Sequence, residues 1–297
     1  MIFLLCYECK LCCPHRNFRL LFGTDEYKDN ILSLYNALNN TNYTNINDIE
    51  LTTLDDVIYI RMKNDVSLLL HDTMNLWEQQ STYNPNMPVR GLMYFGNLYE
   101  AYISKSKHGI YSSKLIPLPT PRYVVLYNGS QAQPAVTKLK LSDAFLVKDE
   151  DAAGDFEWTA TMVNINREHN EELLRKCPAL MEYMTFIELI RDFRSKGYSV
   201  DRAVDEAVKK CIEDGILAEF LTKHRAEVKD VCMTEFDEKA FIACMKEEGR
   251  NEGEAIGREK KGRETALAML KDKMAEALVA KYSGLSPEEV HALAAML

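Results

Sequence analysis

The sequence predicts an α/β fold in which a mixed sheet flanked by helices is followed by an α-helical C-terminal region. Two apolar runs, Val66–Leu70 and Met74–Trp77, are separated by a short polar break, which is typical of a β-hairpin. After about Glu168 the β-like runs end, and apolar residues recur at helical spacing. We therefore expect an N-terminal segment (1–17), an α/β domain (18–165), a helical region (166–247) and a charged tail with a last helix (248–297).

The composition is that of a soluble globular protein, with 46% hydrophobic and 27% charged residues. No apolar run approaches the roughly 20 residues of a membrane span, so we expect a cytoplasmic protein with no membrane partner. The net charge of −9 argues against a protein that coats DNA, because such affinity comes from Lys and Arg. Residues 18–130 carry nine basic and eleven acidic side chains, which is compatible with a DNA partner.

Half of the eight cysteines lie in the N-terminal segment, at Cys6, Cys9, Cys12 and Cys13. The C-x2-C-x2-C spacing is one that metal sites use, but the adjacent Cys12 and Cys13 make a poor tetrahedral pair. We favour reduced cytosolic thiols over a zinc site.

The first half of the chain contains two helical patterns and several strand patterns besides the hairpin. Asp25–Asn39 is predicted to be a helix, and a second helix begins at Pro88, which suits the first helical turn. The apolar stripe of this second helix consists of Leu92, Phe95, Tyr99, Tyr102 and Ile103. The further predicted strands are Val57–Met62, Tyr123–Tyr127, Leu139–Phe145 and Phe156–Ile165.

The second half is predicted to be helical and to carry an interaction surface. Its helices are Pro178–Ser195, a helix capped by Ser199 and stopped by Gly215, Ile216–Val231, Ala266–Tyr282, and a last helix opened by the capping box Ser286–Glu289. Gly249, Gly253 and Gly257 recur every four residues in a charged run, where we favour a hinge-like helix. The apolar faces suggest a homodimer formed through this region.

The predicted hairpin brings two acids together. If the turn is His71–Asp72, Asp65 directly opposes Glu78, and opposed side chains lie about 5 Å apart. Gln80 lies on the same face, because strand side chains alternate. Like charges in this position destabilise a strand pair unless a divalent cation lies between them. The alternative is a solvated hairpin with one acid on each strand.

Several segments in order resemble one family. The runs KNDVSLLL…LWEQQSTYNPNMP, LFG…NILSLYNALNNTNY and KLIPLPTPRYVVLYNG are similar to the Rpn family of recombination-promoting nucleases, also labelled transposases, in the PD-(D/E)XK superfamily. The resemblance covers about Phe18 to Phe145. It implies a restriction-endonuclease-like core, a Mg²⁺ cofactor and a DNA substrate.

The resemblance also implies roles for single residues. Asp65 matches the first metal-binding acid, and Glu78 matches the acid of the (D/E)-x-K motif. Gln79, where most relatives have His, is the position whose backbone carbonyl joins the metal shell. Gln80 stands at the Lys position and is expected to orient the attacking water. A Lys-Asp turn that the family has before the LF match is replaced here by Pro14–Arg16.

Three further residues are expected to contact the substrate. Arg90 and Tyr94 share one face of the helix that begins at Pro88, and Ser81 directly follows Gln80. Arg90 suits a phosphate oxygen, although a solvated Arg on a packing helix is the alternative.

We therefore predict a Mg²⁺-dependent endonuclease that hydrolyses DNA phosphodiester bonds with low sequence specificity, linked to recombination or to defence against mobile DNA. Two alternatives stay open. One is an inactive family member that binds or regulates partners through its helical half. The other is an RNase-type toxin that uses the same site.

Overall fold

The computed structural model describes residues 16–52, 65–105, 110–111, 113–147, 156–236 and 261–294. At its centre is a mixed six-stranded sheet with the order β1-β2-β3-β4-β6-β5. The strands are β1 (Ile49–Leu51), β2 (Val66–Leu70), β3 (Thr73–Gln80), β4 (Thr120–Tyr127), β5 (Val136–Lys140) and β6 (Thr159–Asn164). Strands β3, β4 and β6 are parallel, whereas the β1–β2, β2–β3 and β5–β6 pairs are antiparallel. The predicted α/β class with a mixed sheet is confirmed.

Helices cover both faces of this sheet. They are α1 (Arg16–Phe22), α2 (Lys28–Asn39), α3 (Met87–Ser104), α4 (Glu171–Lys176), α5 (Pro178–Ser195), α6 (Val200–Glu213), α7 (Ala218–Lys223) and α8 (Arg225–Phe236). In the C-terminal part, residues 261–271 are helical, followed by α9 (Glu276–Ser283) and α10 (Pro287–Ala294). None of the described helices is long and apolar enough to cross a membrane.

The strands of the sheet separate two apolar cores because their side chains alternate between faces. On one face, which we call the α5 face, Trp77 and Leu126 pack with α1, α2 and the helices from α4 to α8. On the opposite face, the α3 face, Leu76 and Tyr123 pack with α3. Both β3 and its neighbours are therefore buried, and any polar side chain on β3 lies in an apolar environment.

The β2–β3 hairpin has the predicted register. Val66 pairs with Trp77, and Leu70 pairs with Thr73, so the turn is His71–Asp72. His71 has a φ of 51°, a left-handed conformation that tight hairpin turns require. Because the register is set by this turn, the residue before β2 is placed opposite Glu78.

Several element boundaries in the first half differ from those predicted. The helix expected from Asp25 opens with a 3₁₀ turn, and the α-helix begins at Lys28. The strand expected over Leu139–Phe145 ends at Lys140, where a 3₁₀ turn follows. The buried side of α3 is also shifted relative to the predicted apolar stripe, because Tyr94 and Leu98 turn towards the sheet.

The second half contains two helical breaks that periodicity does not predict. The helix expected over Ile216–Val231 is two helices, α7 and α8, separated at His224. This break lets Phe220 in α7 and Val228 in α8 both reach the core on the α5 face. The helix expected over Ala266–Tyr282 is interrupted near Lys273, which has a φ of 58°.

Five predicted helix ends are confirmed. Helix α5 spans Pro178–Ser195, and the Ser199 hydroxyl accepts a hydrogen bond from the Arg202 N–H at the start of α6. Gly215, with a φ of 75°, follows the end of α6. The capping box is formed reciprocally: the Ser286 N–H donates to Glu289, and the Glu289 N–H donates to the Ser286 hydroxyl.

The chain forms two compact units, Met1–Phe236 and Asp237–Leu297. In the first unit, helices α4 to α8 share the core of the α5 face with the strands. In the second, Ala266, Val279 and Val290 form a small core of their own. The predicted strand Val57–Met62, the N-terminal cysteines and the glycine repeat lie outside the described residues.

Candidate functional site

The Asp65 and Glu78 side chains are brought together at the open end of the hairpin. Asp65 directly precedes β2, opposite Glu78 in the register of the strand pair. Its carboxylate Oδ2 accepts a hydrogen bond from the backbone N–H of Gln79, with an N–O distance of 2.8 Å. The two acids therefore lie opposite each other on the α3 face, as the predicted register of the hairpin requires.

Three side chains from α3 and β4 surround the Glu78 carboxylate. The Tyr123 hydroxyl donates to Oε2 at 3.0 Å, and the Arg90 Nη2 lies 3.4 Å from the same oxygen. The Tyr94 hydroxyl also interacts with this carboxylate and accepts from Arg90 at 3.4 Å. Glu78 is 1% exposed, whereas Arg90 keeps 31% of its side chain in contact with solvent. The ion pair thus joins a buried acid to a half-buried base.

Burial raises the pKa values of both acids. Burial raises the pKa of Asp65 well above its ordinary value, and the charge of Glu78 raises it further. Burial also raises the pKa of Glu78, although Arg90 and the Tyr123 hydrogen bond oppose the shift. A proton or a cation at this pair would relieve the repulsion.

Gln79 and Gln80 point to opposite faces. The Gln79 side chain is fully buried on the α5 face, where its Oε1 accepts from the Tyr183 hydroxyl at 3.0 Å. The Gln80 carbonyl points towards β4, because it accepts a hydrogen bond from the N–H of Asn128, which directly follows β4. The backbone groups of successive strand residues point to opposite neighbouring strands, so those of Gln79 point towards β2. The Gln79 carbonyl is therefore on the Asp65 side, as a metal ligand would need. The Gln80 side chain lies on the α3 face, as that of Glu78 does, because strand side chains alternate between faces. Gln80 is 9% exposed.

The three predicted substrate contacts have different surroundings. Arg90 reaches Glu78, so it lies at the site but already contacts an acid. Tyr94 lies beside Arg90, as their shared helix face predicts, but it is only 2% exposed and packs in the core of the α3 face. In this position the Tyr94 hydroxyl hydrogen-bonds the buried Glu78 carboxylate. Ser81 is half-buried just after β3, and its carbonyl lies close to Gly129.

The donor set fits a cation of the Mg²⁺ type. Within the described ranges, no group of three or more His, Cys, Asp or Glu side chains is close enough to hold a metal ion. The site offers two carboxylates and one backbone carbonyl. Mg²⁺ commonly uses one or two carboxylates and takes its other ligands from water and phosphate. The contact between Arg90 and Glu78 would have to loosen for Glu78 to act as a ligand.

Two residues that shape this site were missed by the sequence-based prediction. Tyr123 donates a hydrogen bond to Glu78, and it comes from β4, 45 positions along the chain. Gly91 lets α3 approach that tyrosine, since a Cβ at this position would lie 2.3 Å from the Tyr123 ring. Only the pairing of Leu76 with Tyr123 across the parallel strands brings them together, and spacing along the chain does not reveal that pairing.

Comparisons of the chain with protein-family models, with curated proteins and with solved structures found no match.

Proposed function

We propose that this chain is a divalent-metal-dependent endonuclease that hydrolyses the phosphodiester backbone of DNA. The observation that carries the proposal is the facing pair of half-buried Asp65 and buried Glu78, both with raised pKa values, at the end of a hairpin. Buried like charges of this kind are costly to a fold, and they are characteristic of functional sites. The sequence resemblance to the Rpn nucleases supports the same function.

Each residue of the site has a role in this proposal. Asp65, Glu78 and the Gln79 carbonyl would hold the metal, which supplies positive charge to the phosphate and lowers the pKa of a bound water. Gln80 would orient that water through its amide, which carries both a donor and an acceptor. Arg90 would turn from Glu78 to a phosphate oxygen, for which its guanidinium fork is suited.

A second candidate is a catalytically inactive member that acts by binding. The contact of Arg90 with Glu78 favours it, because a guanidinium that neutralises Glu78 competes with a metal for the same carboxylate. The neutral Gln80 favours it too, since it cannot supply the charge of a lysine. Binding of Mg²⁺ without strand cleavage would identify this function.

The experiment is nicking of supercoiled plasmid with and without Mg²⁺. We expect the wild type to nick only with metal, and Asp65→Asn and Glu78→Gln to lose roughly 100-fold or more in rate, since both remove charge from the metal ligands. Asp72→Asn is the matched control, because Asp72 is an exposed acid in the turn of the same hairpin. Its rate should equal that of the wild type.

The outcomes separate the two candidates. Metal-dependent nicking that persists in Asp65→Asn and Glu78→Gln would contradict the assigned site. An absence of nicking by the wild type, with Mg²⁺ binding detected by calorimetry, would favour the inactive member. Loss of nicking in Asp72→Asn would point to damage of the hairpin rather than of a metal site.

A further inference from the structure

A second polar region lies at the carboxyl ends of the parallel strands, outside the acid pair. Gln80, Tyr127 and Asn164 end β3, β4 and β6 side by side in the sheet. The loop that follows β4, residues 128–135, carries no charged side chain. In open α/β sheets, ligands bind in the crevice outside the carboxyl ends of the strands.

Arg191 of α5 reaches this edge of the sheet. Its Nη1 donates to the Asn166 side-chain oxygen at 3.2 Å, and its Nη2 donates to the backbone carbonyl of Asn128. The Asn128 N–H in turn donates to the carbonyl of Gln80, at 3.1 Å. Two hydrogen bonds therefore connect the Arg191 guanidinium to the residue that follows Gln79 in the candidate site.

No carboxylate among the described residues neutralises the charge of Arg191. In the part of the chain that the structure describes, its contacts are neutral oxygens and no carboxylate pairs with it. The acids nearest to Arg191 along α5 form ion pairs with other bases: Glu188 pairs with Arg167, and Asp192 pairs with Lys196. A guanidinium has five N–H donors, so three are left for another partner.

The residue that anchors Arg191 also has unused polar atoms. Asn128 is fully buried, and both its Oδ1 and its Nδ2 have no hydrogen-bond partner among the described residues. A buried amide of this kind destabilises the fold unless water or a ligand satisfies it. Asn166 is held in place by Asn164 and by the Gly129 carbonyl, so the region is already organised.

We propose that Arg191, held in place by the Asn166 side-chain oxygen and the Asn128 carbonyl and lying beside the unpartnered Asn128 amide, binds a second phosphate of the nucleic-acid backbone. The site combines a fixed, half-buried guanidinium, which no carboxylate among the described residues pairs with, and one unpartnered amide, which suits a phosphodiester. This proposal rests on the proposed function. Because Arg191 lies beside Gln80, it would contact the nucleic-acid strand that enters the site of the acid pair. A backbone that crosses the carboxyl edge of β3 and β4 would contact both.

The test measures DNA binding without metal, so that it does not depend on cleavage. We would titrate a fluorescent DNA duplex with the full chain in EDTA at several salt concentrations. For Arg191→Gln we expect about tenfold weaker binding, as for the loss of one charged hydrogen bond. The slope of log K against log salt should fall in magnitude by about 0.9, the value for one phosphate contact.

Two further variants separate phosphate binding from a structural role. Arg202→Gln is the matched control, an exposed arginine on α6, and it should bind like the wild type. Arg191→Lys keeps the charge, so its salt slope should remain that of the wild type. If Arg191→Lys instead loses the slope as Arg191→Gln does, the effect belongs to the loop structure and the proposal is wrong.

The remaining outcomes also decide the proposal. Wild-type binding equal to that of Arg191→Gln, or no binding of DNA by the wild type, would overturn it. A melting temperature that inorganic phosphate raises in the wild type alone, with DNA affinity unchanged by Arg191→Gln, would assign the site to a small anion instead. The nuclease proposal is judged separately, by nicking in Asp65→Asn and Glu78→Gln.

Discussion

At the scale of single residues, the facing pair Asp65 and Glu78 contributes to how stability depends on pH. Both pKa values are raised above the ordinary 3.8 of Asp and 4.5 of Glu, so the folded chain holds protons that the unfolded chain has released. The stability that this protonation gives is complete below those ordinary values. It is lost as the pH rises through the raised values in the folded state.

We predict that Asp65→Asn removes much of this pH dependence. The amide oxygen can still accept the Gln79 N–H, but the repulsion with Glu78 is gone. In EDTA the variant and the wild type should melt at similar temperatures near pH 4, and the variant should melt higher near pH 8. Thermal melts across this range check the prediction, and parallel profiles for the two proteins would contradict it.

A second prediction at this scale concerns Tyr123, which orients Glu78 by a hydrogen bond of 3.0 Å. Partners of metal ligands typically account for about 10–100-fold in affinity. We expect Tyr123→Phe to weaken Mg²⁺ binding by about tenfold in calorimetry. Tyr99→Phe is the control, because its hydroxyl donates to the Pro119 carbonyl rather than to Glu78. Equal Mg²⁺ affinities in the two variants would rule out the positioning role.

At the scale of the element, α3 and β4 show which part of the site can be predicted from the sequence. A helix beginning near Pro88 and a strand ending at Tyr127 follow from local chemistry and periodicity, and the structure has α3 from Met87 and β4 over Thr120–Tyr127. The rotation of α3 about its axis cannot be predicted in this way, because it depends on the residues against which the helix packs. The buried carboxylate attracts Tyr94, and the missing side chain of Gly91 leaves room for Tyr123.

Two glycines on α3 allow a matched test of this contact. A Cβ at Gly91 would lie 2.3 Å from the Tyr123 ring, so Gly91→Ala should cost about 1–3 kcal/mol of unfolding free energy, as overpacking does. A Cβ at Gly96 would meet no described atom within 4 Å, so Gly96→Ala should stabilise by about 0.5–1 kcal/mol. Urea unfolding measures both values. A Gly91→Ala chain as stable as Gly96→Ala would show that the helix does not pack on Tyr123.

At the scale of the whole molecule, the apolar core places the helical region with the sheet. Helices α5 and α6 contribute Leu180, Ile187 and Val208 to the same core as Trp77 and Leu126. The boundary expected at residue 165 therefore divides one core, whereas the compact unit ends at Phe236. The homodimer expected through the C-terminal half stays a prediction.

We predict that a chain ending at residue 236 unfolds cooperatively and that a chain ending at residue 165 does not fold. The shorter chain would expose the strand side chains that α5 and α6 cover, including Trp77. Near-UV circular dichroism during thermal melting distinguishes the two chains. A cooperative transition in the chain that ends at residue 165 would instead support a domain boundary at that residue.

The hairpin and the meeting of its acids follow from the amino-acid sequence alone. Turn residues and alternation act over a few positions, so the pairing of Asp65 with Glu78 is a matter of local chemistry. The partners that surround those acids depend on the tertiary structure, because Tyr123 and Arg90 come from elements whose packing involves the whole core. Parallel strand order and helix rotation are set by burial of apolar surface across distant segments, which no local pattern encodes.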